Sequence, residues 1–285
     1  MRNIIFLMLL LTGCSWKPRS VEYDRLYAYQ REKRSRLCSP SMEKPYLVVL
    51  VDARRLDYTC ASSFFRTLTK HPSDGSKNSD VGHAWIYLAG EKEEIELGHS
   101  GELGEVLPRY FEGVEYLLQS GDPDPVRYLW SDLQDGFCQK GNGGHRPTYA
   151  AKFSLSQEEY LHLKQIIHDY DFSGYSLTAH QCTHFVEFIL KEIGIDVDTA
   201  VIVTIPEKLP IGNSKVRLRT SNRYREMRFS TPDMLERELV RLVSEGRAED
   251  VRGWYKKHHP QRKSLALQLE DCLMLPSRLQ RHYAF

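Results

Sequence analysis

Gly82-His83-Ala84-Trp85-Ile86-Tyr87-Leu88 and, farther along the chain, Gln181-Cys182-Thr183-His184-Phe185-Val186 are the two stretches whose reading decides the fold. After Cys182, apolar residues recur at Phe185, Val186, Ile189, Leu190 and Ile193, the spacing of a core-facing helical stripe. This predicts a helix that carries the thiol in its first turn and stops at Gly194. In a first turn the unpaired backbone N–H groups and the positive end of the dipole favour a thiolate, and later the oxyanion of a tetrahedral intermediate.

The histidine segment alternates with period two, which predicts a half-buried strand with His83, Trp85 and Tyr87 on one face and Ala84, Ile86 and Leu88 on the other. Gly90-Glu91-Lys92 reads as a hairpin turn into a second strand, Glu93 to His99. With the turn centred on Glu91, Tyr87 falls opposite Ile95, Trp85 opposite Leu97, and His83 opposite His99. Opposed residues have Cβ atoms about 4.5 to 5.5 Å apart. The expectation is a nucleophile, Cys182, its base, His83, and a second ring, His99, that orients the base and stabilises the imidazolium.

The content and order of these segments resemble the permuted papain-like thiol enzymes, which include the NlpC-type hydrolases and the lecithin:retinol acyltransferase-like proteins. In that group a strand with the base histidine comes first and the next strand carries a polar partner, usually histidine. The nucleophile then follows in an Asn-Cys-x-His-Phe-type motif at a helix start. The resemblance spans residues 46 to 195 and implies an α+β, circularly permuted papain-like fold: an antiparallel sheet carrying the histidines, packed on a helix with the cysteine at its N-terminus. It implies His83 as base, His99 as orienting residue and Cys182 as nucleophile. Tyr175 resembles the tyrosine often found ahead of the motif. Gln181 stands where the family usually has Asn, whose shorter side chain suits the turn before a helix better. Tyr175, Gln181 and the Cys182 backbone N–H are the candidate substrate and oxyanion contacts.

Simpler readings stand beside this one. A cysteine at a helix start is also found as a small buried hydrophobe or as half of a disulfide. His184, two residues past the thiol, points away from it on a helix and reads as structural, and Trp85 and Tyr87 read as packing residues.

At the start of the chain, Arg2, the apolar run from Ile4 to Leu11 and Leu11-Thr12-Gly13-Cys14 make a secretory signal too short to span a bilayer. The Leu-Thr-Gly-Cys ending resembles a bacterial lipoprotein box. This implies that residues 1–13 are removed and that Cys14 carries lipid (palmitate), with Ser15 compatible with outer-membrane sorting. A plain signal peptide is the alternative. The expected location is the bacterial cell envelope, lipid-anchored in the outer membrane and facing the periplasm. With Cys14 lipidated and Cys182 a thiol, Cys38, Cys60, Cys138 and Cys272 remain for two disulfides, in any of three connectivities.

The expected organisation is a tether over residues 14–45, a catalytic domain over 46–205 and a basic extension over 206–285. Within the catalytic part, Leu47 to Val51 reads as a strand, Ser62 to Thr69 as a helix, and His71 to Ser79 as a loop placed to gate substrate. Tyr149 to Leu155 reads as a strand, and Ser156 with Glu159 as a capping box opening a helix to Asp169. In the extension, Thr231-Pro232 starts a helix whose apolar side holds Met234, Leu235, Leu239, Leu242 and Val243. Lys215, Arg217 and Arg219 alternate with apolar residues, and Arg223, Arg225 and Arg228 follow. This is a basic face suited to anionic headgroups, or an edge kept basic against strand pairing.

With 39 basic against 38 acidic residues the whole chain implies no nucleic-acid partner. No Cys or His spacing suggests a metal, and thioester chemistry needs no cofactor. The expected function is therefore a membrane-tethered cysteine hydrolase cleaving an amide bond, with cell-wall (peptidoglycan) peptide as substrate. Lipid acyl hydrolysis or transfer is an alternative, as is a catalytically silent envelope-binding lipoprotein.

Overall fold

The computed structural model describes residues 42–58, 81–101, 106–211 and 214–259. The expected lipid site Cys14, the tether, the helix at 62–69 and the loop at 71–79 lie outside them. In chain order the elements are β1 (Tyr46–Ala53), β2 (Gly82–Ala89), β3 (Glu94–Gly101), α1 (Val106–Gln119), a 3₁₀ turn (Pro125–Trp130), β4 (Asp132–Leu133), β5 (Gly136–Lys140), β6 (Tyr149–Ser154) and α2 (Gln157–Asp169). Then come β7 (Tyr175–Ser176), α3 (Cys182–Glu192), β8 (Ala200–Thr204), β9 (Lys208–Ile211), β10 (Ser214–Arg217), a 3₁₀ turn (Asn222–Tyr224), β11 (Glu226–Ser230), α4 (Pro232–Ser244), β12 (Glu249–Asp250) and α5 (Arg252–His258).

The protein is α+β. Among the described residues, six strands form one antiparallel sheet in the order β12-β6-β1-β2-β3-β5. The central strand β1 is buried along its whole length, as its unbroken apolar run demands of a strand covered on both faces. On one face, Leu47, Val49, Ala84, Ile86, Leu88, Leu97, Ala151 and Phe153 meet helices α2, α3 and α4 through Leu163, Phe185, Val186, Ile189, Leu235 and Leu239. A second cluster joins α1, β8, β11 and the loop after β10 through Tyr110, Val203, Met227, Phe229 and Leu218. Ser156 caps α2 with the full reciprocal box, its hydroxyl accepting from Glu159 N–H while the Glu159 carboxylate accepts from Ser156 N–H. Thr231 caps α4 ahead of Pro232.

The β2–β3 hairpin differs from the expected register by one residue. The chain turns through Gly90–Glu93, closed by Gly90 N–H to the Glu93 carbonyl at 2.9 Å, so that Ala89 faces Glu94, Leu88 faces Ile95, Tyr87 faces Glu96 and Ile86 faces Leu97. The reason is burial. Only this register puts Ile95 and Leu97 on the face that Ile86 and Leu88 give to the core, and a one-residue slip would turn both toward the opposite side. Beyond Leu97, β3 pairs with β5, where His99 lies opposite Cys138. His83 and His99 are therefore on opposite faces of the sheet, which corrects their expected juxtaposition.

The segment after residue 205, expected as an extension, supplies α4 to the main core and β12 to the edge of the sheet. The first compact unit of the chain runs to Arg252 and the second begins at Gly253. Among the described residues no helix is long and apolar enough to cross a membrane.

Candidate active site

Helix α3 begins at Cys182 as the apolar spacing predicts. Phe185, Val186, Ile189 and Leu190 face the sheet, and the thiol sits in the first turn, 3% exposed. Gln181 is the N-cap, in extended conformation. Its Oε1 accepts from Thr183 N–H at 2.7 Å and from the Cys182 thiol at 3.3 Å. Glutamine is a poor cap by itself because the longer side chain has more freedom to lose. Here its Nε2 donates to the Ser230 carbonyl at 2.6 Å, which fixes the amide and aims its oxygen at the helix start. The thiol proton is thus held toward Gln181, and the Thr183 hydroxyl lies 3.9 Å from Sγ.

His99 is fully buried on the helix side of β3. Its ring stands edge-on to Tyr170, Phe172, Tyr175 and His180, the last with centroids 4.7 Å apart. Nδ1 is 3.1 Å from the Tyr170 hydroxyl, and among the described residues Nε2 has no hydrogen-bond partner. Burial, and next the neighbouring His180, lower the pKa of His99 to about 4; carbonyls of Gly174 and Phe172 beside the ring oppose this without reversing it. At neutral pH the imidazole is uncharged, with one ring nitrogen carrying a proton and the other able to accept one.

Tyr170 and Tyr175 connect this ring to the thiol. Both phenols are pushed above their usual range, by burial first and by Cys182 next, so both lie close enough to sense its charge. The Cys182 backbone N–H acts on the Tyr175 hydroxyl in the opposite sense. What lets the Phe172–Tyr175 segment come so close to the sheet is a pair of opposed glycines, Gly101 and Gly136. A Cβ on Gly101 would stand 2.6 Å from the Tyr175 ring, and one on Gly136 would stand 2.4 Å from the Phe172 carbonyl oxygen. The two glycines leave a notch in the β3–β5 ladder that this segment fills.

No known protein family, curated protein or solved structure matches this chain.

Of the residues expected at the site, Cys182, Gln181, Tyr175 and His99 are brought together, while His83 is not. His83 lies in a second buried polar group on the other face of the sheet. Its Nε2 is 3.1 Å from Gln139 Nε2, and Gln139 Oε1 accepts from the Ser100 hydroxyl at 2.8 Å. The ring stacks on His145 at 4.6 Å, and His145 Nδ1 is 3.0 Å from Asp52 Oδ2. Gly98 allows this approach, since a Cβ there would stand 2.9 Å from His83 Nε2.

Among the described residues Cys138 is a free thiol, and Cys38, Cys60 and Cys272, the other cysteines of the expected two-disulfide pattern, lie outside them. It faces His99 across the ladder, and burial pushes its thiol pKa up, which disfavours the thiolate.

Sequence reasoning missed Tyr170, Phe172 and His180. For Tyr170 and Phe172 the signal was their spacing with Tyr175, three rings separated by Asp171, Ser173 and Gly174 just ahead of the cysteine motif; His180 gave none. Along the outer side of α3 runs a cleft of about 600 Å³, a volume within the usual range for a ligand site, lined by Tyr170, His180, His184, Glu187, Phe188 and Arg228 among others. Tyr170 and His180 belong both to this cleft and to the cage around His99. Burial raises the pKa of Glu187, which accepts from the Ser230 hydroxyl at 3.0 Å, and burial lowers that of His184 to about 4.

Proposed function

We propose that the protein is a thiol enzyme of the permuted papain-like kind, with Cys182 as nucleophile and His99, in place of the expected His83, as its base. The observation that carries this reading is a buried, uncharged His99 whose Nε2 has no hydrogen-bond partner among the described residues, enclosed by the same tyrosines that border Cys182. His99 takes the thiol proton, the sulfur attacks the substrate carbonyl carbon, and the oxyanion forms at the start of α3, beside the Cys182 backbone N–H and the Tyr175 hydroxyl. The resulting imidazolium gives its proton to the leaving amine as the C–N bond breaks, leaving a thioester. Water, deprotonated by the same ring, then cleaves the thioester and restores the thiol. Tyr170, bonded to Nδ1, orients the ring as an Asn or Asp does in related triads.

Amide hydrolysis is the favoured reaction and a cell-wall peptide the favoured substrate, with the chain held to the outer membrane through lipid on Cys14. Transfer or hydrolysis of a lipid acyl group uses the same first steps. Burial of Cys182 at 3% exposure favours a second reading, a structural thiol in a catalytically silent envelope protein.

Alkylation of Cys182 by a small haloacetamide, followed peptide by peptide from pH 5 to 9, separates these readings. His99→Ala is expected to slow the reaction or move its profile upward, and His83→Ala to leave it unchanged. Indifference to His99→Ala in the folded, reduced protein would establish the structural thiol. Product analysis on an active protein then distinguishes released peptides from free fatty acid and lysolipid.

A further inference from the structure

The β9–β10 hairpin has two unlike faces. Leu209 and Val216, opposed across the ladder, pack against the second hydrophobic cluster and fix the orientation of the hairpin. Lys208, Lys215 and Arg217 occupy the other face with Pro210, all exposed, and Lys208 lies directly opposite Arg217. Like charges directly opposed across a ladder destabilise it, because their Cβ atoms are only about 4.5 to 5.5 Å apart. Among the described residues none of the three cations has an ion-pair partner.

The strip extends beyond the hairpin. Arg223 and Arg225 are exposed on the 3₁₀ turn that follows, and the Arg225 carbonyl accepts from Ile205 N–H at 2.7 Å, which places this turn at the base of β9. From Lys208 to Arg225 the chain has no acidic residue, although acids and bases nearly balance over the whole chain. Arg219 is the exception on the basic side, buried with its guanidinium on the Ile205 and Ser221 carbonyls. Exposed Glu207 and Glu226 flank the segment, and the carboxylate hydrogen-bonded to it, Asp124, is occupied by the Thr220 and Ser221 backbone N–H groups and the Thr220 hydroxyl.

Protection of a strand edge requires a charge or two along that edge. It does not call for cations directly opposed on the face. A partner that neutralises the face does account for them, and its chemistry follows from the shape. The surface is a short two-stranded ribbon whose face, Lys208, Pro210, Lys215 and Arg217, carries long flexible cations and no aromatic side chain to stack bases, which nucleic-acid binders use. A planar array of mobile anions needs none.

We propose that the Lys208/Lys215/Arg217 face seats the protein on an anionic phospholipid surface. This holds whether or not Cys182 reacts. Co-sedimentation of the full chain with phosphatidylcholine vesicles, with and without phosphatidylglycerol, tests it. The N-terminal apolar run contributes to both vesicle types, so the readout is the excess on anionic vesicles. That excess is expected to disappear in high salt and to fall roughly a hundredfold in the Lys208→Glu, Lys215→Glu, Arg217→Glu triple variant. The corresponding triple glutamine variant, which keeps the side-chain stems, should lose most of it and guards against a folding defect. The proposal is overturned by an absent excess, by an excess that survives in the folded triple variant, or by a short DNA duplex binding this face more tightly than the vesicles do.

Discussion

At the scale of single residues the candidate site and the cleft beside it contain histidines held uncharged at neutral pH. His99 and His184 both have pKa values lowered to about 4, with burial as the first cause and the charge of His180 as the second. Above an ordinary pKa of about 6.5 each is neutral folded or unfolded, so neither contributes a pH dependence there. As pH falls from that value toward 4 the unfolded chain binds protons that the folded chain refuses, and stability is lost. Urea midpoints of the wild type and His99→Asn, compared from pH 7.5 to 5, should show the wild-type advantage shrinking as pH falls; a constant gap would mean that His99 titrates normally in the folded state. The same scale shows what was not legible from sequence. Gly101 and Gly136 carry no local signal of their role, because only the folded chain shows which segment has to pass above them.

At the scale of elements, α3 and α2 were legible because an apolar stripe at helical spacing allows one packing face, and because Ser156 and Glu159 form a local cap. The cap of α3 was not legible. Gln181 works only because Ser230, distant in sequence, holds its amide. Gln181→Ala should therefore cost about 1 kcal/mol, as for an ordinary N-cap, and also free the thiol proton it accepts. Denaturation midpoints measure the first effect and the alkylation rate of Cys182 the second; a cost near zero would mean that the Thr183 N–H finds another acceptor. The hairpin register was missed at this scale too. Turn residues leave a four-residue loop and an odd-centred one equally open, and the choice was made by where Ile95 and Leu97 had to be buried.

At the scale of the whole molecule, the sheet is completed by parts of the chain far apart in sequence. Leu239 on α4 is fully buried against β1, β2 and β6 together with Leu235 and Leu242. If α4 is integral to the core, Leu239→Ala should cost about 2 to 5 kcal/mol and shift one cooperative unfolding transition as a whole. Two separated transitions, with only the later segment affected, would show that residues after 205 form an independent unit. Asp233, in the first turn of α4, ties the same helix to the chain after β1 by accepting from Arg55 N–H, Leu56 N–H and the Tyr58 hydroxyl.

The sequence by itself determined the local chemistry: a thiol at a helix start, an alternating strand with a histidine, a capping box, and a run of cations with no acid among them. Each of these follows from residues within a few positions of one another, where periodicity and hydrogen-bond reach act directly. Tertiary structure alone decided which histidine shares the helix side of the sheet with the thiol. A strand alternates faces at every residue, so a single step of register, set by core burial between β2 and β3, moved His83 to one side of the sheet and left His99 with Cys182 on the other.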